Sequence, residues 1–182
     1  MGFMGAGKST VGALLGHRLG WRFLDADLVL ESKSGLTIAD VFSLHGEPEF
    51  RRIESGVIRE LLQEEGVVLA LGGGAVETES TYDLLQGATA TCLVFLEAPL
   101  VTLIERCEHQ PGAAERPVLN DRDRLEARWK ARLPLYRQAH LTVSTAGLTP
   151  DMVTEKIMSA LHPRLSGEPT PAIRKTGEPA SR

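Results

Sequence analysis

The chain has 182 residues, 42% hydrophobic and 24% charged, and its 20 Lys and Arg against 24 Asp and Glu leave a formal net charge of −4. That size suits one folded domain with a substantial core, and the acidic balance argues against nucleic acid as the main partner. The longest apolar runs, such as 67–71 and 92–96, are strand length and too short to cross a membrane as a helix.

Residues 2–9 read Gly-Phe-Met-Gly-Ala-Gly-Lys-Ser, the G-x-x-x-x-G-K-[ST] spacing of a phosphate-binding loop. Glycines at 2, 5 and 7 permit a tight turn whose N–H groups point inward, an anion nest backed by a helix N-terminus. Lys8 is then placed to reach the β- and γ-phosphates and Ser9 to ligate Mg²⁺, so a nucleoside triphosphate reaction is the first expectation. A glycine turn before an ordinary helix is the alternative. Such a loop follows a strand buried on both faces, yet only Met1 precedes Gly2. Losing about five central-strand residues forfeits about 8 to 15 kcal/mol, a typical domain's whole stability. The expectation is therefore that the true start lies upstream, with an apolar strand ahead of Gly2, and that the chain as written folds poorly alone.

Apolar runs alternate with helical patterns from here on, which predicts a three-layer α/β fold around a parallel sheet. Val11, Leu14, Leu15 and Leu19 keep helical spacing, and Gly20 closes that helix. A strand at 22–24 runs into Asp25-Ala26-Asp27. Thr37 is the expected N-cap of a helix over 38–44, and Pro48 opens a long helix to about residue 63. Strand 67–71 leads directly into Gly72-Gly73-Gly74. Helix 78–85, strand 91–96, with Cys92 as core, and helix 99–107 follow. The Pro/Gly/Ala-rich stretch 108–121 has no period and is expected to be a mobile flap. Helix 122–138, strand 140–144 and helix 151–161 complete a domain spanning 1–162, and the Pro-, Gly- and Ser-rich tail 163–182 is expected to be disordered. Two cysteines without metal or redox spacing fit a reducing, cytoplasmic setting.

Open parallel sheets bind ligands beyond the carboxyl ends of their strands, so residues just after each apolar run carry the information. Asp25 and Asp27 follow one strand, and either a helix cap with a salt bridge or a place near Mg²⁺ accounts for them. No aspartate follows strand 67–71, where a Walker-B carboxylate would fall, so Asp25 is the better Mg²⁺ candidate, through a coordinated water. Glycines 72–74 mark either a permissive turn or a place where a small ligand approaches the backbone. On the helix begun by Pro48, Arg51 and Glu54 are i,i+3 neighbours, and Phe50 lies beside them. Arg51 suits a carboxylate because its fork bonds in bidentate fashion, although an exposed ion pair is the plainer reading.

Together these residues resemble shikimate kinase. The matching motifs are the loop at 2–9, Asp25-x-Asp27, Gly46-Glu47-x-x-Phe50-Arg51-x-x-Glu54, Gly72-Gly73-Gly74-Ala75-Val76, Arg116-Pro117-Val118-Leu119, and Arg132-x-Pro134-Leu135-Tyr136. They occur in the family's order and span nearly everything up to residue 162. The resemblance implies a P-loop NTPase-type fold like that of nucleoside monophosphate kinases, with its first strand absent here and substrate-binding helices over about 27–63. It also implies phosphoryl transfer from ATP, with Mg²⁺, to the 3-hydroxyl of shikimate in aromatic amino-acid biosynthesis. Carried over, Gly5, Ala6, Gly7, Lys8, Ser9, Thr10 and Arg116 bind the nucleotide, Lys8 and Arg116 stabilising the moving phosphoryl group. Ser9 and Asp25 place the metal, and Asp27 binds and orients the attacking hydroxyl. Arg51 and Arg132 clamp the carboxylate, Gly73 and Gly74 offer backbone donors, and Phe42 and Phe50 shape the apolar side. A monomer with no membrane or nucleic-acid partner is expected.

Several signals are weaker. The flap has fewer basic residues than the family pattern calls for. Arg106 is placed either to stack on adenine or to complement a helix end. Basic residues from Arg122 to Arg137 alternate with Asp121, Asp123 and Glu126, the pattern of a solvated helix face. The competing readings are another small P-loop kinase, such as a gluconate or nucleoside monophosphate kinase, and a nucleotide-binding regulatory module without catalysis.

Overall fold

Short runs rich in β-branched and aromatic residues form the strands, and helices intervene between them, which is the connectivity that parallel pairing requires. The computed structural model describes residues 1–109 and 121–165. In it α1 (Lys8–Leu19) leads to β1 (Arg22–Asp25), α2 (Ala26–Ser34), α3 (Ile38–Leu61) and β2 (Val67–Ala70). A 3-10 turn (Ala75–Glu77), α4 (Glu79–Gly87), β3 (Val94–Glu97) and α5 (Leu100–Glu108) come next, then α6 (Arg122–Tyr136), β4 (Leu141–Ser144) and α7 (Pro150–Leu165). The expected flap lies outside the described residues from 110 to 120, as does the expected tail from 166 onward. α7 itself continues to Leu165.

β1 pairs with β2 and β3 with β4, both parallel, with Asp25 opposite Ala70 and Glu97 opposite Ser144. The sheet is thus two parallel halves rather than one continuous ladder among the described residues. Residues 1 and 2 run between the halves. The Met1 amine donates to Val94 O at 2.6 Å and Met1 O accepts from Leu96 N at 2.9 Å. Gly2 passes so near β3 that a Cβ there would stand 2.8 Å from Leu96 O, and its own carbonyl lies 3.7 Å from where a Cβ on Gly73 would be. The phosphate loop therefore opens beside the carboxyl ends of both β2 and β3.

Side-chain alternation in the strands builds a layer on each face. Leu24 and Leu69 are register partners and pack toward Leu30, Val41, Phe50, Val57 and Leu61 of α2 and α3. Phe23, one residue back, lies against α1 at Gly12. Val11 and Leu15 of α1, Phe95 and Leu96 of β3 and Val153 and Ile157 of α7 belong to the larger core. Cys92 is only half-buried at its margin, ahead of β3, because β3 starts later than the apolar run suggests; the fully buried cysteine is Cys107.

Local signals set the helices that carry the site. Thr37 and Asp40 form a reciprocal capping box at the start of α3. The helix breaks at Gly46, whose φ of 78° is left-handed, and Pro48 begins the second segment. That break turns the segment bearing Arg51 and Glu54 toward the glycine run after β2.

Candidate active site

The phosphate loop is shaped by backbone. Gly5 and Gly7 have φ of 73° and 88°, and a Cβ on Gly5 would stand 2.3 Å from Leu103 O, so the loop lies directly on α5. Gly7 caps α1 without a side-chain hydrogen bond, which leaves the first N–H groups of the helix to face an anion. Ala6 is buried beneath the loop, and Ser9 and Thr10 are exposed on the first turn of α1. Lys8 Nζ donates to Phe3 O at 3.2 Å, curled back over the loop. Burial lowers the Lys8 pKa, with Asp27 and Asp25 acting against that shift.

Asp25 is the helix cap of its first reading, and its second oxygen faces the loop. Its Oδ1 accepts from Asp27 N at 3.1 Å as the N-cap of α2, and its Oδ2 accepts from Ser9 Oγ at 2.8 Å. A hydroxyl and a carboxylate paired at the mouth of the loop are oxygen ligands of the kind Mg²⁺ takes alongside water and phosphate, so the residues present fit that ion. Among the described residues no cluster of three or more His, Cys, Asp or Glu could hold a metal by protein ligands alone.

Arg106 stands in the last turn of α5, where its charge complements the helix end, and its guanidinium has a further task. It donates to Thr145 Oγ1 at 2.8 Å and Thr145 O at 2.7 Å, and reaches Gly5 O at 3.5 Å. It braces the phosphate loop against the end of β4.

Opposite the loop, polar side chains converge on the glycine run. A Cβ on Gly72 would stand 2.8 Å from Asp27 Oδ1 and 2.9 Å from Glu54 Oε1; one on Gly74 would meet Arg51 Nη2 at 2.6 Å and Arg132 Nη2 at 3.0 Å. None of the three glycines has positive φ. Carboxylates and guanidiniums occupy the space a side chain on Gly72 or Gly74 would need, while Gly73 lies in ordinary contact, and the run turns with Ala75 N donating to Gly72 O at 3.2 Å. Between them, Gly73 O accepts from the Tyr136 hydroxyl, whose pKa burial pushes up to about 12.

Arg51 Nη1 donates to Glu54 Oε2 at 2.8 Å and Nη2 to Glu47 Oε1 at 3.2 Å. Glu54 is 2% exposed, so this is a buried ion pair and not the surface pair that spacing alone allows. Burial raises the Glu54 pKa, with Arg51 opposing it. Arg132, 8% exposed, lies over the Phe3 ring and donates to Glu77 Oε2 at 2.7 Å. Its buried Nε has no hydrogen-bond partner among the described residues. Burial and then the Asp25 charge raise the Asp27 pKa. Phe42 stacks on the buried Phe50 at 4.4 Å between centroids.

The structure thus brings Asp27, Arg51, Arg132, Gly73 and Gly74 to one corner beside the loop residues. Arg116 lies outside the described residues. Sequence reasoning missed Glu77 and the anchoring Tyr136 hydroxyl. A single acidic residue three positions past a glycine triplet has no periodic signal to give it away.

Phosphate-cradling amides on one side and fixed guanidiniums with a carboxylate on the other define a P-loop phosphotransferase for small anionic acceptors. The shikimate kinase family model matches residues 4–162. The shikimate kinase of Rhodopseudomonas palustris is 39% identical over 175 residues, covering 93% of this chain and 82% of the relative. Among solved structures, shikimate kinase from Aquifex aeolicus aligns with a TM-score of 0.79 and 32% identity over 92% of this chain and 96% of its own. That of Acinetobacter baumannii, solved in complex with shikimate, aligns with a TM-score of 0.78 and 36% identity over 90% and 92%. This chain belongs to the shikimate kinase family. Its activity is accordingly ATP- and Mg²⁺-dependent phosphorylation of shikimate, and neither the other small kinases nor the regulatory module is favoured.

Proposed function

We propose that Asp27, Lys8 and Arg116 carry the transfer of the ATP γ-phosphoryl group to the 3-hydroxyl of shikimate, with Arg51 and Arg132 holding the substrate carboxylate. One observation supports this most: the run Gly72–Gly74 has Asp27 at one end, both arginines at the other and Gly2 of the phosphate loop against its middle. A ring acid held at its carboxylate thereby presents a hydroxyl to Asp27 and to the loop together.

Asp27 accepts a hydrogen bond from the attacking hydroxyl and takes its proton as the oxygen–phosphorus bond forms. Because the transition state is loose, aim and charge stabilisation matter more than base strength. Lys8, with Arg116 from the flap, stabilises the moving phosphoryl group, and the amides of Gly5, Ala6, Gly7, Lys8, Ser9 and Thr10 hold the phosphate tail. Ser9, and Asp25 through water, would hold Mg²⁺, which neutralises phosphate charge. Gly73 and Gly74 supply N–H donors, and Phe42 and Phe50 the apolar wall. The kinase domain spans 1–162, and the enzyme acts as a cytoplasmic monomer. Among the described residues no helix is long and apolar enough to cross a membrane.

ADP release measured in parallel with shikimate, gluconate and AMP tests the reading. Turnover with shikimate alone is expected; turnover with either of the others instead overturns the substrate assignment.

A further inference from the structure

Glu77 is absent from every role above, yet it touches both arginines. It ends the 3-10 turn after the glycine run, and its N–H donates to Gly74 O at 3.0 Å. One oxygen, Oε2, lies 2.7 Å from Arg132 Nη2 and 3.6 Å from Arg51 Nη2. A single carboxylate oxygen therefore bridges the two guanidiniums. Burial alone would raise the Glu77 pKa, but the Arg132 hydrogen bond and the charges of Arg132 and Arg51 hold it below the usual carboxylate range. It is ionised at neutral pH.

Its neighbours on Arg51 differ from it. Glu54 is buried, its side chain 2% exposed, and stays on α3 as the fixed partner; Glu47 touches Arg51 alone and is 65% exposed. The Glu77 side chain is 35% exposed and sits on a three-residue turn. It reaches the same Nη2 atoms that crowd Gly74, and it can swing away without breaking a helix.

We infer that Glu77 is a built-in competitor for the arginine pair. In the empty site its carboxylate takes the seat of the substrate's, keeping the guanidiniums aligned and neutralised, and it yields when an acid arrives. Affinity is then set by an exchange of one carboxylate for another. A neutral polyol has nothing with which to displace Glu77, so the exchange also selects for acids, and it eases departure of a product that keeps its carboxylate. This rests on Arg51 and Arg132 being the carboxylate clamp.

The test is Glu77→Gln, which keeps shape and an acceptor oxygen while removing the charge. Calorimetric Kd and steady-state KM for shikimate are expected to fall about three- to tenfold, the range open to one partly screened charge at close quarters. KM for ATP stays put, and the methyl ester of shikimate, lacking the charge, shows no gain. If Glu77 merely orients the arginines, the same variant binds shikimate more weakly; that result, or no change, overturns the inference. Glu77→Ala must agree in sign with the Gln variant. Arg51→Lys, run beside it, separates the two levels of argument. An unchanged shikimate KM there removes the clamp and this inference with it, whereas a raised KM together with an unimproved Glu77→Gln removes the competitor alone.

Discussion

Eight consecutive residues make the phosphate loop, whereas the groups of the acid corner come from α2, α3, the 3-10 turn and α6. The first corner is built of main-chain amides held by left-handed glycines; the second is built of charged side chains that crowd Gly72 and Gly74. A backbone site tolerates changes in side chains around it but not in its own torsions. A side-chain site fails one residue at a time, and each failure leaves the rest standing.

The largest effect expected within this contrast comes from Asp27→Asn. Loss of the proposed proton acceptor should lower kcat by about a thousandfold or more while nucleotide binding, measured by fluorescence titration, stays near that of the parent. Its melting temperature should also rise. The native protein holds the Asp27 proton more tightly than the unfolded chain does, so ionising that group costs stability as pH climbs through the window between the two pKa values. Asparagine has nothing to ionise. Near-normal turnover, or nucleotide binding lost in parallel, would break the division between the corners.

Alanine at two glycines sharpens the same contrast. Gly5→Ala combines a φ of 73° with a backbone carbonyl 2.3 Å from the new Cβ, neither of which can give way. It should destabilise the fold by about 2 to 4 kcal/mol in urea melts and weaken ATP binding. Gly74→Ala meets side-chain ends, those of Arg51 and Arg132, and no backbone atom among its nearest neighbours. Stability should change by about 1 kcal/mol or less, with KM for shikimate raised about tenfold because the guanidiniums lose their aim.

The pH profile carries the smallest effect. Asp27 is raised and Lys8 lowered, in each case chiefly by burial. The acid limb of kcat/KM should therefore lie above the ordinary aspartate value of about 3.9, and the alkaline limb below the ordinary lysine value of about 10.4, giving a bell narrowed from both sides. An acid limb at the ordinary value would mean that Asp27 is solvated in the free enzyme.

The phosphate loop was legible because its chemistry is local: spacing fixes which amides face inward, and no distant residue is needed. The α3 capping box and the helix begun by Pro48 were legible for the same reason, each being an agreement between near neighbours. Asp25 was read as either cap or metal partner, and only the fold showed that its second oxygen meets the Ser9 hydroxyl across 16 positions. Periodicity likewise placed Arg51 beside Glu54 but left their burial open, since burial depends on what another element lays over them.

Sequence by itself determined the glycine nest, the order of strands and helices, and the motif set that marks the family, because torsional freedom and hydrophobic period are properties of adjacent residues. Tertiary structure alone decided that the sheet forms two halves with residues 1 and 2 between them, that charged side chains crowd Gly72 and Gly74, that Arg106 is a brace, and that Glu77 sits across two guanidiniums. Those are contacts between residues far apart in the chain, and no local pattern encodes a distance through space.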